Sequence, residues 1–164
     1  MGERVIMSRE ILFKAKRKSW KELPKEEWWV EGYLFDDGMP EPKHYFIGGI
    51  IVKPYEGTAC DKWNVVGIDF CEIDINTLCQ YTGLTDKNGK KIWEKDIISI
   101  AAYSYDEPED DYFGVVTYCE KDACWSLNNN EKCGEIICEC FGSYTTEIIN
   151  HGNIFDNPEL LEVE

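Results

Sequence analysis

The chain has 164 residues, 43% of them hydrophobic and 13% aromatic, which suits one ordinary domain or two small lobes and excludes a globally disordered chain. Its 32 acidic and 17 basic side chains give a formal net charge of −15, and so acidic a surface repels phosphate backbones, disfavouring nucleic acid as a partner. No window approaches the roughly 18 to 20 apolar residues of a membrane-spanning helix, so no membrane association is expected.

The first 35 residues hold 8 basic and 6 acidic side chains, so the negative charge belongs to the remainder. Ile11-Leu12-Phe13 is too short, and too closely followed by basic residues, to be the apolar stretch of a signal peptide. Residues 9–18 read as a strand that alternates from Phe13 onward, with its basic residues outward. Lys14, Lys16, Arg17 and Lys18, with Trp20 and Lys21 following, are the candidate binding residues. Interleaved cations and aromatics can contact phosphate and stack on bases, although a short charged run is also what a solvated strand end shows. Lys21 to Trp29 suits a short helix, with Pro24 near its first turn. Strands are expected at Trp28–Phe35 and His44–Val52, joined by the turn-rich Asp36–Pro42. Gly48-Gly49 inside the second predicts a bulge or a close backbone approach. Trp63 to Ile75 is extended.

Asn88-Gly89, within Lys87–Lys90, is predicted to centre a type I′ hairpin turn, which needs positive φ at both positions. Leu84 and Ile92 flank it as apolar anchors. Asp96–Ile100 then reads as a buried strand rich in β-branched residues. Asp106–Asp111 puts five carboxylates into six residues without the spacing or central glycine of a calcium loop, and reads as a solvated loop. Strands are expected at Gly114–Tyr118, Ala123–Leu127, Glu135–Phe141 and Thr146–Ile149, and a single helical turn at Pro158–Leu161. Five short strands from Asp96 to Ile149 suggest a small closed or nearly closed barrel. The expected fold is mainly β, a β-rich α+β chain. Its N-terminal strands with a short helix fill 1–80, and the hairpin with a small SH3-like barrel-type lobe fills 81–164, or the two make one domain overall.

Eight cysteines stand at positions 60, 71, 79, 119, 124, 133, 138 and 140. The spacings from Cys119 onward are four, eight, four and one intervening residues, with no CxxC pair to bring two sulfurs to one metal. Cys138 and Cys140 are two apart in an expected strand and read as small buried hydrophobes. The expectation is reduced thiols in the bacterial cytoplasm, with no zinc and no other cofactor. His44 and His151 lie in no recognisable catalytic motif, and no cysteine lies in a nucleophile signature.

Three blocks of the chain resemble the YopX family of phage and prophage proteins. Arg9–Ala15 is similar to the family's opening strand, Gln80–Ile92 (QYTGLTDKNGKKI) to its central block, and Gly152–Leu161 (GNIFDNPELL) to its closing segment. Two positions depart from the pattern. Lys95 stands where the family usually has Gly between Glu94 and Asp96, and Cys79 stands where Gly is common before Gln80. If that glycine serves a positive φ, Lys95 either adopts another conformation or accepts about 1 kcal/mol. The resemblance implies a mainly β protein encoded by a phage, prophage or other mobile element. It implies no activity and carries over no functional residue.

The function expected from this reading is a non-enzymatic accessory protein that binds a host or phage macromolecule, most plausibly a protein. Its acidic surface would also suit mimicry of nucleic-acid charge. The alternatives are nucleic-acid binding through Lys14–Lys21 and a small enzyme built on the histidines or a cysteine. A homo-oligomer is expected as well, its apolar interface drawn partly from Trp20–Phe35, because strand edges and surplus aromatics need cover.

Overall fold

The computed structural model describes residues 10–54, 63–104, 107–121, 123–128 and 145–162. The chain divides into two compact units, one of Ile11–Gln80 and one built from Tyr81 onward. The fold is mainly β, and every strand pairing is antiparallel.

In the first unit, β1 (Phe13–Lys16), β2 (Trp29–Asp36), β3 (Tyr45–Pro54) and β4 (Trp63–Glu72) lie side by side in that order. The first residues of β5 (Cys79–Thr85) add beyond β1, with Phe13 opposite Gln80 and Lys14 opposite Cys79. Alternate residues of these strands send Phe13, Ala15, Val30, Leu34 and Ile47 into one core with Ile73 and Leu78. The expected helix over Lys21–Trp29 is not formed. Two 3₁₀ turns, Trp20–Glu22 and Lys25–Glu27, replace it, since extended Leu23 and Pro24 stop the first before it completes a second turn. Gly48 is a close approach, as expected: a Cβ there would lie 2.0 Å from the Asp69 carbonyl oxygen and 2.6 Å from the Phe70 ring. The register irregularity of this pair falls three residues later, between Ile51 and Val52.

The second unit continues β5 and adds β6 (Lys91–Trp93), β7 (Asp96–Ser104), β8 (Glu107–Cys119), β9 (Cys124–Asn128) and β10 (Thr145–Asn153). Its four-stranded sheet has the order β10-β7-β8-β9. Ile92, Ile98, Ile100, Val116, Trp125, Leu127 and Ile148 form its core. The closed barrel is not found among the described residues: β9 and β10 are the two ends of an open sheet and do not ladder to each other. One reason is strand length. The five short strands of the sequence reading become a long β7–β8 hairpin, and the expected strand at Glu135–Phe141 lies outside the described residues. The acidic loop is likewise corrected. Glu107–Asp111 is strand, laddered to Ala101–Ser104, while Asp106 lies outside the described residues. β9 pairs only with Val115–Cys119, so Pro108 sits where that side of β8 has no ladder bond to lose among the described residues.

The hairpin between β5 and β6 exists, but its turn is shifted by one residue. The Gly89 N–H donates to the Asp86 carbonyl at 2.9 Å, which centres the turn on Lys87-Asn88. Gly89 (φ +79°) has positive φ and Asn88 does not, the pattern of a type I turn followed by a left-handed glycine. Asp86 decides the outcome, because its Oδ1 accepts from the N–H groups of Asn88 (2.8 Å) and Lys90 (2.9 Å). Those bonds fix the loop in the three-residue form. At the next turn Lys95 takes the second of its two alternatives and adopts φ +65°. Its N–H donates to Val116 O (2.7 Å) and its carbonyl accepts from Ile154 N–H (3.1 Å), so the left-handed conformation ties three segments together. The chain closes on a 3₁₀ turn at Pro158–Leu161.

Candidate functional site

β1 sends Phe13 and Ala15 to the core and therefore Lys14 and Lys16 to the opposite face. Lys16 does not point outward into water: it is only 1% exposed. The two 3₁₀ turns fold Trp20 and Trp28 back across it. Its Nζ lies 4.1 Å from the Trp20 ring centre, 4.3 Å from Trp28 and 5.4 Å from Trp29. Trp20 and Trp28 meet edge to face at 4.8 Å. Their indole N–H groups donate to Asp74 Oδ2 (3.4 Å) and Leu23 O (2.9 Å) respectively. A desolvated cation on an indole face is worth about 2 kcal/mol, which helps offset the burial of so long a side chain.

The other residues of the basic segment gather around the same cluster. Lys14 Nζ lies 5.1 Å from the Trp29 ring and Lys21 Nζ 5.5 Å from Trp20. Arg17 Nε–H donates to Glu27 O (2.9 Å) and its Nη1 to Cys71 Sγ (3.1 Å). Lys18 is exposed and stands 3.9 Å from Glu72 Oε1. Asp74 anchors the base of the cluster. Burial pushes its carboxyl up, but hydrogen bonds from the side chain and backbone of Asn76 and from Trp20, with the charge of Lys18, outweigh that and hold it below the ordinary aspartate range.

Two further features of the first unit were not singled out from the sequence. One is an exposed apolar face. Tyr33 and Phe70 both lie opposite Gly48, so they share a side of the sheet, and Phe35 and Ile68 join them by alternation. These four are 54%, 46%, 42% and 63% exposed, values far from a core. Because Gly48 has no side chain, the Phe70 ring has space to lie across it, and it meets Phe35 edge to face at 4.9 Å. The sequence signal was a pair of apolar residues two apart in β2 and another in β4, with Gly48 on the strand between, which does not say which face is covered.

The second is a cleft. β2 is laddered to β1 over Trp29–Gly32 and to β3 only over Tyr33–Asp36. Where it changes partner, an opening of about 500 Å³ forms, lined by residues that include Arg17, Trp29, Glu31, Gly49, Asp69 and Cys71. That is within the ordinary range of ligand and peptide sites.

Two histidines among the described residues have close polar partners. His44 Nδ1 lies 2.9 Å from Glu72 Oε1, and His151 Nε2 lies 2.8 Å from Ser99 Oγ with Phe113 beside its ring at 5.8 Å. His151 has no carboxylate partner among the described residues to orient it as a base. Cys71, Cys79, Cys119 and Cys124 form no disulfide among the described residues, and Cys60, Cys133, Cys138 and Cys140 lie outside the described residues. Among the described residues no three His, Cys, Asp or Glu side chains are grouped to hold a metal ion. No helix among them is long and apolar enough to cross a membrane.

The described residues form two units of antiparallel β-sheet, the first with an exposed aromatic face. The family model described as YopX protein matches residues 36–162, and the chain belongs to the YopX family. The match includes the central hairpin and the closing segment. The crystal structure of protein EF1440 from Enterococcus faecalis is similar over 94% of this chain and 100% of that chain, with 21% sequence identity and a TM-score of 0.52. At that identity the likeness bears on the fold alone. No curated protein matches this chain.

Proposed function

We propose that this protein is a non-enzymatic binding protein of phage or prophage origin that acts on a host or phage protein in the bacterial cytoplasm. The observation that carries the proposal is the exposed face of Tyr33, Phe35, Ile68 and Phe70. Large apolar side chains grouped on one sheet face cost solubility when left in water, and such patches are the usual mark of a protein-docking surface. The basic segment supports nucleic-acid binding less well, because Lys16 is buried and Lys14 and Lys21 lie against indoles of their own chain. The net charge of −15 opposes it further.

The test is affinity capture from a bacterial lysate, run in parallel with the wild-type chain and a Tyr33→Ser/Phe70→Ser variant. Both side chains are exposed, so the substitutions leave the fold intact. Proteins recovered with the wild type and lost with the variant support the reading. Identical recoveries from the two baits sink it.

A further inference from the structure

We propose that Cys119 and Cys124, opposed across the β8–β9 hairpin, form a reversible dithiol–disulfide site whose co-reactant is a low-molecular-weight disulfide such as glutathione disulfide. This redox site goes beyond the binding reading above and stands independently of it.

Register comes first. Cys119 and Cys124 stand directly opposite each other in the antiparallel ladder. Opposed residues in such a ladder have Cα atoms about 4.5–5.5 Å apart, inside the window of about 4.4–6.8 Å that a disulfide spans. Val116, Trp125 and Leu127 face the core, so alternation puts Thr117, Cys119, Cys124 and Ser126 on the other face. On that face the neighbouring pair already touches, with Thr117 Oγ1 3.3 Å from Ser126 Oγ. Cys119 and Cys124 are the next pair of the same kind along the two strands. The other described cysteines have no cysteine opposite them: Cys71 faces Ile47 across its ladder, and the buried Cys79 faces Lys14.

Access and strain make the pair reversible rather than structural. Both cysteines are half-buried, and Glu120, Lys121 and Ala123 of the connecting turn are exposed, so a small disulfide can reach the sulfurs. Cross-strand Cβ atoms stand about 4.5–5.5 Å apart, whereas a disulfide draws them to about 3.5–4.5 Å. The bond therefore pulls the strands together as it forms, and strained, accessible disulfides are the ones that thiols reduce readily. One cysteine thiolate attacks glutathione disulfide, breaks its S–S bond and releases a glutathione thiolate. The opposite cysteine thiolate then attacks the protein sulfur of the mixed disulfide, forming the Cys119–Cys124 bond and releasing the second glutathione. The cysteine pair loses two electrons, glutathione disulfide gains them, and the two thiol protons end on the two glutathiones. Because β9 is an end strand of its sheet and supplies Trp125 and Leu127 to the core, oxidation staples that end to β8.

The test is mass spectrometry of the full chain, reduced, freed of reductant and then exposed to excess glutathione disulfide. Samples are quenched with acid, blocked with N-ethylmaleimide and digested with trypsin without reduction. Cleavage after Lys95, Lys121 and Lys132 places Cys119 alone in peptide 96–121 and Cys124 alone in peptide 122–132, so the bond appears as those two peptides joined. The joined pair is expected to outnumber glutathione adducts at the same two cysteines by a ratio at least about tenfold higher in the folded chain than in urea, because register raises the effective concentration of the second thiol. Equal ratios would mean that nearness in sequence alone closes the bond, and would overturn the proposal. Cys124→Ser/Ser126→Cys moves the thiol to the diagonal position, about 7–8 Å away, and should lower the ratio about tenfold; a wild-type ratio there would overturn it too. The urea comparison uses the wild-type chain, so the test stays decisive if that variant does not fold. Excess reduced glutathione should then restore both thiols in the folded protein. A bond that resists it would be a structural disulfide, and Cys119 or Cys124 joined mainly to a third cysteine would reject the pairing.

Discussion

Lys95 offers the sharpest test of how the backbone is held, because it is a non-glycine residue in a left-handed conformation at φ +65°. In that region Cβ crowds the following carbonyl, at a cost of about 1–2 kcal/mol. Lys95→Ala keeps the Cβ, and so the strain. It also removes the Nζ that lies 5.6 Å from the Phe155 ring, a contact worth about 0.5–1 kcal/mol at a partly exposed site. Lys95→Gly loses the same contact but relieves the strain, while its greater freedom in the unfolded chain takes back about 0.4–1 kcal/mol. The alanine variant should therefore be less stable than wild type by about 0.5–1 kcal/mol, and the glycine variant close to wild type. Comparing glycine with alanine cancels the lost ammonium and isolates the backbone, leaving glycine ahead by about 0.5–1 kcal/mol. With a urea m-value near 2 kcal/mol/M, that is a midpoint difference of about 0.3–0.5 M. Urea unfolding followed by tryptophan fluorescence measures it, and exchange of the Ile154 amide, which donates to the Lys95 carbonyl, reports the same turn locally. A glycine variant no more stable than the alanine variant would refute the strain argument.

Gly89→Val should cost about 1–2 kcal/mol, since a β-branched side chain resists the φ of +79° found there; an unchanged denaturation midpoint would contradict the turn assignment. Acid should destabilise the same hairpin. The backbone N–H of Lys90, helped by Asn88 and the Asn150 backbone and opposed by burial, holds the Asp86 carboxyl below its ordinary value, so its contribution is present above the unfolded-state value near 3.8 and is lost as pH falls through the lower folded-state value. Asp86→Asn should flatten that part of a stability profile measured between about pH 2 and 5, and an unaltered slope would count against it. Lys16→Ala should cost about 2–4 kcal/mol through the lost stem and cation–π contacts, and Lys16→Met clearly less, as read by thermal or urea unfolding. Light scattering at physiological salt should give a mass above the monomer, because apolar burial at about 25 cal/mol per Å² outweighs screened repulsion between acidic copies; a monomer persisting at high concentration would reject this.

Local signals were legible in the sequence where one residue type has one physical use. Pro158–Leu161 closes the chain as a single turn, Gly48 marks a close approach, and Asp96–Ile100 is a buried strand, because proline, glycine and β-branched runs each admit few conformations. The turn at Asn88-Gly89 shows the limit of that reasoning. The dipeptide favours a type I′ turn, yet an aspartate two residues before it supplies hydrogen bonds that select another loop. Lys16 was misplaced outward because alternation gives its face and says nothing of what folds over that face; the cover comes from Trp20 and Trp28, which are distant in a strand-only reading. The barrel failed for a similar reason. Closure depends on whether edge strands find each other, a long-range fact that strand count does not contain. The apolar face and the cleft depend on the register of β2 with two different neighbours, and no pattern within β2 announces that change.

The enclosure of Lys16 gives the protein a chemical clock. An acylating reagent in solution modifies the exposed Lys18 and Lys21 at once, but it reaches the Lys16 amine only when the indoles above it swing away. The rate at which that single lysine gains mass, read peptide by peptide after quenching, measures how often residues 11–80 open under native conditions. Because the probe is native to the chain, opening can be timed in a crude lysate, with and without a bound partner, and no engineered label is needed.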